Sequence, residues 1–250
     1  MDRTLTSRVE RKYLISPYVA DQIRHWILPY MQHDPFSAKA EGSRYQICSL
    51  YLDSEELYLY NQTKNSEKNR FKLRIRTYAD NDCDPLFFEI KKRINQVVRK
   101  ERASVARKEG EGILDALVKQ IPCDSNSESA AISNFINLTK KTLARPQVRV
   151  RYMREAFESR SFDPVRITFD TELSTSTSPK AELDSSTGHW VSVPDKGTIL
   201  EVKYTGSPPA WIQTMMEIFK LTNQSVPKYI LCVDQTPHLS QKIRYQYRNA

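Results

Sequence analysis

The chain has 250 residues, of which 39% are hydrophobic, and a formal net charge of +8 at pH 7. This length suits one domain with one core. None of its 6 glycines falls in GxGxxG or GxxxxGK[ST] spacing, which argues against Rossmann enzymes and Walker NTPases. The apolar runs are too short for a membrane-spanning helix. The 4 cysteines form no CxxC pair, so neither a zinc site nor a disulfide framework is expected, and a cytoplasmic location fits best.

Eight stretches of the sequence alternate between polar and apolar residues, which is typical of half-buried strands. Beginning at Arg8, they cover residues 8–15, 45–53, 70–78, 86–94, 97–105, 147–157, 165–173 and 198–205. Because most of them follow one another directly, antiparallel pairing is expected. The sequence therefore predicts an α+β fold that consists mainly of antiparallel strands.

Fewer helices are predicted, and they flank the strands. A helix opens behind a Ser16–Pro17 cap and runs to about Met31, and another covers residues 211–221 behind a Ser207–Pro208 cap. A helical insertion covers about residues 111–143, in two helices joined by a polar loop at 122–129. A second polar loop is expected at 175–186. No linker divides the chain, so a single domain is predicted.

The positive charge is concentrated between Lys68 and Lys108, a segment with thirteen Lys and Arg residues and only five acids. These cations alternate with apolar residues, as they would on one face of folded strands. An open sheet would leave that face solvated. If the eight strands instead close into a barrel, the same face lines a tunnel of Lys and Arg side chains, and this closed tunnel with flanking helices is the fold that we predict.

Like charges across a narrow barrel repel one another, so such a tunnel would hold water, counter-anions or a polyanionic ligand. Arginine binds phosphate through two hydrogen bonds, and lysine acts beside it as a point charge. Glu10, Glu89 and Glu201 are either internal ion-pair partners of these cations or, for at least one of them, a ligand of Mg²⁺ or Mn²⁺. Nucleic acid is not expected as a partner, because the cations alternate with residues of buried character instead of exposed aromatic residues.

Several short motifs together resemble a known family. They are ERKY at 10–13, SLYLDS at 49–54, KLRIRTY at 72–78, FEIKKR at 88–93, RYMREAF at 151–157, VRITFDTEL at 165–173, LEVKY at 200–204 and VPKY at 226–229. In this order they resemble the polyphosphate polymerase (VTC) domain of the vacuolar transporter chaperone family, part of the triphosphate tunnel metalloenzyme superfamily.

The resemblance implies an enzyme that transfers the terminal phosphoryl group of ATP to a polyphosphate chain, with Mn²⁺ or Mg²⁺ as cofactor. It implies catalytic roles for Lys12, Arg74, Arg76, Lys91, Arg154 and Arg166. Substrate binding would involve Glu10, Glu89, Lys100, Arg102, Lys203 and Lys228, with the register between Lys100 and Arg102 left open. Glu201 matches the metal-binding glutamate.

One departure from the superfamily pattern bears on the reaction. An ExExK pattern on the first strand is typical of the hydrolytic and cyclase members of the superfamily that the chain resembles, whereas here Arg8 replaces the first glutamate. Fewer carboxylates favour a polymerase over a triphosphatase, which stays an alternative. A non-catalytic module that binds polyphosphate or inositol pyrophosphate is the other. Because eukaryotic relatives couple synthesis to a membrane channel, export of a product would need a separate membrane protein.

Overall fold

The structure is a computed structural model that describes residues 8–78, 84–95, 97–121, 129–161, 164–177, 181, 183–194 and 197–248. Most of the predicted loop at 122–129 lies outside these residues, as do Cys83 and Cys123. The strands in the described part are β1 Arg8–Ile15, β2 Met31–His33, β3 Tyr45–Asp53, β4 Asn69–Thr77, β5 Leu86–Ile94, β6 Val97–Val105, β7 Arg145–Ser159, β8 Arg166–Thr177, β9 Val191–Ser192 and β10 Thr198–Thr205.

The helices of the described part lie between these strands and at the C-terminal end. They are α1 Pro17–Ile27, α2 Pro35–Lys39, α3 Tyr58–Lys64, α4 Arg107–Lys119, α5 Ala130–Lys141, α6 Ala210–Ile218, α7 Lys228–Gln235 and α8 Pro237–Arg248, with a short 3-10 turn at Glu41–Ser43. No helix of the described ranges combines the length and the apolar character that crossing a membrane requires.

The chain forms two compact units. The first unit comprises Met1–Gln46, Tyr152–Leu173 and Pro194–Pro227, and the second comprises Ile47–Arg151, Ser174–Val193 and Lys228–Ala250. Strand order is β1-β10-β8-β7 in the first unit and β7-β3-β4-β5-β6 in the second. The pairs β1–β10, β10–β8, β3–β4, β4–β5 and β5–β6 are antiparallel. A mainly antiparallel α+β fold is thus confirmed, while the closed tunnel and the single domain stay predictions.

Apolar residues of α1, β8 and β10 build the core of the first unit. Ser16 Oγ accepts a hydrogen bond from the Val19 amide, so the predicted cap of α1 is confirmed. Ile23 of α1 packs with Phe169 of β8 and Val202 of β10, all fully buried. A fully buried side chain of this size contributes roughly 1.5–3 kcal/mol. Because side chains alternate along a strand, the polar residues of β8 and β10 lie on the opposite face of the sheet.

In the second unit the two insertion helices cover the apolar face of the sheet. Ile75 of β4 and Phe88 of β5 belong to one buried cluster with Phe135 of α5, whose ring meets that of Phe88 edge-on at 5.2 Å between centroids. Packing on this side leaves the charged residues of β4 and β5 on the other face. The helical insertion therefore packs against the face opposite the charged residues.

Three local predictions were wrong, and some elements were not predicted. The first helix ends at Ile27, because Pro29 cannot continue it, and Met31 begins β2 instead. Ser207 does not cap α6, which starts only after the second of two prolines, Pro209. Strand β8 continues to Thr177, into the predicted loop at 175–186. The C-terminal helices α7 and α8 were not predicted.

We expect Gly197→Ala to destabilise the protein by about 2 kcal/mol, since positive φ disfavours a side chain. Gly197 has φ +106° directly before β10, and a Cβ there would overlap the main-chain oxygen of Ile15 on β1. The control is Gly112→Ala in α4, where a Cβ meets open space and helix propensity favours alanine by up to about 1 kcal/mol. Urea unfolding measures the stability of both variants. Equal midpoints would contradict the expected strain at Gly197.

Candidate functional site

A row of cations covers the polar face of β4, β5 and β6, called here the β4–β6 face. The antiparallel register aligns Arg74 with Glu89 and Glu89 with Arg102. One row further along the strands, Lys72 aligns with Lys91 and Lys91 with Lys100. Of the residues predicted for the site, this face carries Arg74, Arg76, Glu89, Lys91, Lys100 and Arg102.

Glu89 lies at the centre of this face and is fully buried. Its carboxylate oxygens lie 2.7 Å from Arg74 Nε, 2.6 Å from Lys100 Nζ and 3.5 Å from Arg102 Nε. Burial by itself would raise the pKa of Glu89, but the charges of Arg74 and Arg76 and the hydrogen bond from Lys100 hold that pKa well below its usual range. Lys100 and Arg102 both contact Glu89, so these contacts do not decide between the two registers.

Aromatic and hydroxyl groups hold the arginines of the β4–β6 face in place. Arg74 donates from Nη1 to the Tyr51 hydroxyl at 3.1 Å, and Arg76 donates from Nε to Ser49 Oγ at 3.2 Å. The guanidinium of Arg102 lies 3.7 Å from the centroid of the Phe87 ring, a cation–π contact. The arginines are therefore oriented before any ligand binds.

The polar face of β1, β10 and β8, called here the β1–β10 face, carries both signs of charge. The register places Glu10 opposite Lys203 and Lys12 opposite Glu201. Lys203 Nζ lies 2.8 Å from Glu201 and 3.9 Å from Glu10, and Lys12 Nζ lies 3.1 Å from Glu10. Burial would lower the pKa of Lys12, but the charges of Glu201 and Glu10 raise it above its usual value. These four predicted site residues are thus brought together.

Two buried aspartates hold the predicted site arginines of the first unit. Asp170 accepts hydrogen bonds of 2.6 and 2.7 Å from Nε and Nη2 of Arg154. Asp34 accepts one of 2.6 Å from Arg166. Burial would lower the pKa of Arg154, but the charge of Asp170 raises it well above its usual value. Neither aspartate was predicted from the sequence, although Asp170 lies four residues after Arg166 and therefore on the same face of β8.

Lys228 is the remaining predicted site residue. It is half-buried and is the first residue of α7, so it belongs to a helix of the second unit and not to a strand face.

Oxygen donors on the β1–β10 face fit a hard divalent cation. Thr168 aligns with Glu201 in the β8–β10 register, and its buried hydroxyl has no hydrogen-bond partner. Mg²⁺ and Mn²⁺ bind through one or two carboxylates together with substrate phosphate oxygens. The described residues include no cluster of three or more His, Cys, Asp or Glu that could hold a metal ion by themselves. Glu201, Glu10 and Thr168 therefore fit a metal that phosphate oxygens help to hold.

The β4–β6 face is mainly basic, and the β1–β10 face combines lysines with carboxylates. Residues 7–236 match the model of the VTC domain family. The chain therefore belongs to the VTC domain family. Such membership makes it a phosphate-handling protein. Among curated proteins, none matches the chain.

Two solved structures share the fold. One is a candidate adenylate cyclase from Bacillus halodurans, with 12% identity and a TM-score of 0.50 over 88% of this chain and 94% of the other. The second is a candidate adenylyl cyclase from Hippeastrum with a dominant triphosphatase activity, with 13% identity and a TM-score of 0.50 over 89% of this chain and 93% of the other. At these identities the likeness extends to the fold alone.

Replacing Glu89 by glutamine should destabilise the protein by about 3 kcal/mol at pH 7, because three cations then lose their shared buried partner. The folded-state pKa of Glu89 is depressed. Its stabilisation is therefore complete above its unfolded-state pKa of about 4.3 and is lost as the pH falls through the folded-state value. Urea unfolding between about pH 7 and pH 3 should show a steeper loss in the wild type than in Glu89→Gln.

Tripolyphosphate should restore part of the stability of Glu89→Gln, since the ligand supplies the missing negative charge. A larger rise in melting temperature for the variant than for the wild type is the expected result. If the variant is as stable as the wild type at pH 7 without ligand, Glu89 does not hold these cations together.

Proposed function

We propose that this protein is an ATP-dependent and metal-dependent polyphosphate polymerase. The observation that carries the proposal is the β4–β6 face, where six cations surround a single carboxylate, Glu89. These cations are Lys72, Arg74, Arg76, Lys91, Lys100 and Arg102. Such a face can bind several linked phosphates, while its described residues include no second carboxylate to activate water.

Transfer of a phosphoryl group needs in-line geometry and charge stabilisation more than acid–base chemistry. A terminal oxygen of the acceptor polyphosphate forms the new bond to the γ-phosphorus of ATP, and the bond from that phosphorus to the bridging oxygen of ADP breaks. The acceptor is already anionic at neutral pH, so no side chain has to remove a proton. ADP leaves with the electron pair of the broken bond.

If the strands close into the predicted tunnel, arginines of both sets would stabilise charge on the transferred group. Arg74 and Arg76 stand ready on the β4–β6 face, because Tyr51 and Ser49 fix their orientation. Arg154 and Arg166 are fixed by their aspartates on the first unit. Lysines lack the rigid fork of arginine, and Lys12 and Lys91 would orient terminal phosphates as point charges.

A divalent metal would be held by Glu201, with Glu10 and the Thr168 hydroxyl as further oxygen donors. When bound, such an ion neutralises charge on phosphate oxygens and polarises the phosphoryl group. Lys203 contacts both carboxylates at 2.8 and 3.9 Å. It would hold them in place and limit the mutual repulsion of their charges.

A triphosphatase and a non-catalytic polyphosphate-binding module are the alternatives, and the three differ in their products. Arg8 occupies the position where the pattern of hydrolytic relatives has a glutamate, which favours the polymerase over the triphosphatase. Closure of the strands into a tunnel, a cytoplasmic location and a separate membrane partner for export belong to this proposal as predictions of the sequence.

Incubation with ATP and Mn²⁺ should yield polyphosphate that appears as a ladder on a stained gel, and Arg74→Gln or Arg76→Gln should lower its rate of formation about 10²-fold or more. Lys140→Gln on the exposed surface of α5 is the matched control and should keep the wild-type rate. Release of free phosphate without polymer would identify a triphosphatase. If neither polymer nor free phosphate forms, the protein is a binding module.

Glu201→Gln and Thr168→Val should each raise the Mn²⁺ concentration needed for half-maximal activity, by roughly tenfold or more for the glutamate. Tripolyphosphate binding without metal, measured by calorimetry, should survive in both variants. If Glu201→Gln loses that binding together with stability, then Glu201 serves only as the ion-pair partner of Lys203 and the metal ligands lie elsewhere.

A further inference from the structure

We propose that Arg70 and Arg93 form an outer subsite that binds phosphates of a polyphosphate chain longer than three units. This inference rests on the proposed function and deepens it, because it adds selection for chain length. Neither arginine belongs to the set of residues predicted from the sequence.

The two arginines are cross-strand neighbours on β4 and β5. Arg70 of β4 aligns with Arg93 of β5, one row beyond Lys72 and Lys91 and two rows beyond Arg74 and Glu89. Four residues of an antiparallel strand span about 14 Å. Three linked phosphates do not extend that far. A ligand that reaches from the Glu89 row to this arginine pair therefore has to be a longer chain.

Their contacts fit a site for an anion. Arg93 donates from Nε to the main-chain oxygen of Asn95 at 2.9 Å, and Arg70 donates from Nη1 to the main-chain oxygen of Glu67. Burial and the charge of Arg93 lower the pKa of Arg70, and the charge of the exposed Glu67 partly offsets this effect. The two arginines are thus cross-strand neighbours, and a main-chain oxygen fixes the orientation of each guanidinium group.

In the row of Arg70 and Arg93 a cation lies opposite another cation, whereas in the row of Glu89 a cation lies opposite a carboxylate. A carboxylate lies between Arg74 and Arg102 and contacts both. In the outer row the register pairs one arginine directly with the other, and like charges directly opposite each other destabilise a sheet. A bound phosphate removes that repulsion and can accept hydrogen bonds from both guanidinium groups.

The hairpin between β5 and β6 suggests a competing ligand. Ile94, Val97 and Val98 are exposed there, at 46%, 58% and 50%. Apolar residues beside arginines are also what a surface of anionic lipid would bind. However, the arginine pair is followed along the strands by the lysines and arginines of the β4–β6 face. This continuous line of cations favours a linear phosphate chain over a membrane.

The experiment compares the full-length double variant Arg70→Gln/Arg93→Gln with Arg99→Gln. Arg99 is exposed on the same hairpin but aligns with Lys92, on the opposite face of the sheet. Calorimetry measures the affinity of each protein for tripolyphosphate and for long-chain polyphosphate, with melting temperatures to check folding. The double variant should bind the long chain about tenfold more weakly and keep its affinity for tripolyphosphate. Arg99→Gln should keep both affinities.

Each other outcome overturns the inference in a recognisable way. If the folded double variant binds both ligands like the wild type, the subsite does not exist while the proposed function stands. If Arg99→Gln weakens long-chain binding equally, the effect is one of net charge. If the double variant loses binding to vesicles of anionic lipid but not to long-chain polyphosphate, the arginines serve a membrane. If the wild type binds no tripolyphosphate, the proposed function fails first.

Discussion

The packing of like charges on neighbouring strands is the constraint on which the structure depends. Because side chains alternate along each strand, every second residue of β4 and β5 places its charge on one face, and the antiparallel register aligns these charges across the sheet. Buried carboxylates make the arrangement stable. Glu89 contacts three cations in the second unit, and Asp170 binds Arg154 through two hydrogen bonds in the first.

These carboxylates also prepare the site for its ligand. A guanidinium group that is already held by a carboxylate, a tyrosine or a main-chain oxygen loses little conformational entropy when a phosphate binds. The same contacts neutralise only part of the positive charge on the β4–β6 face, so attraction for a polyanion remains. Stability and phosphate binding therefore have a common origin in the balance between the cations and a few buried acids.

The two-residue period was enough to predict eight of the ten described strands and their polar faces, because it is a direct consequence of strand geometry. The short strands β2 and β9 were not predicted. The same period did not reveal Asp170 or Thr168, since these short polar side chains look like ordinary strand residues until the register shows what they face. Asp34 lies outside the strands, at the N-cap of α2. Helix α1 was predicted too long because the apolar pattern continues past Pro29. The cap of α6 was misplaced because two prolines in succession offer two possible caps.

A crystal structure with bound tripolyphosphate and Mn²⁺ would test the central claim, that the polar sheet faces are the phosphate sites. The account predicts phosphate oxygens within hydrogen-bond distance of Arg74 and Lys91 on the β4–β6 face, and a metal ion beside Glu201 on the β1–β10 face. Phosphate bound only to cations outside these faces, such as Lys140 and Lys141 at the end of α5, would contradict it.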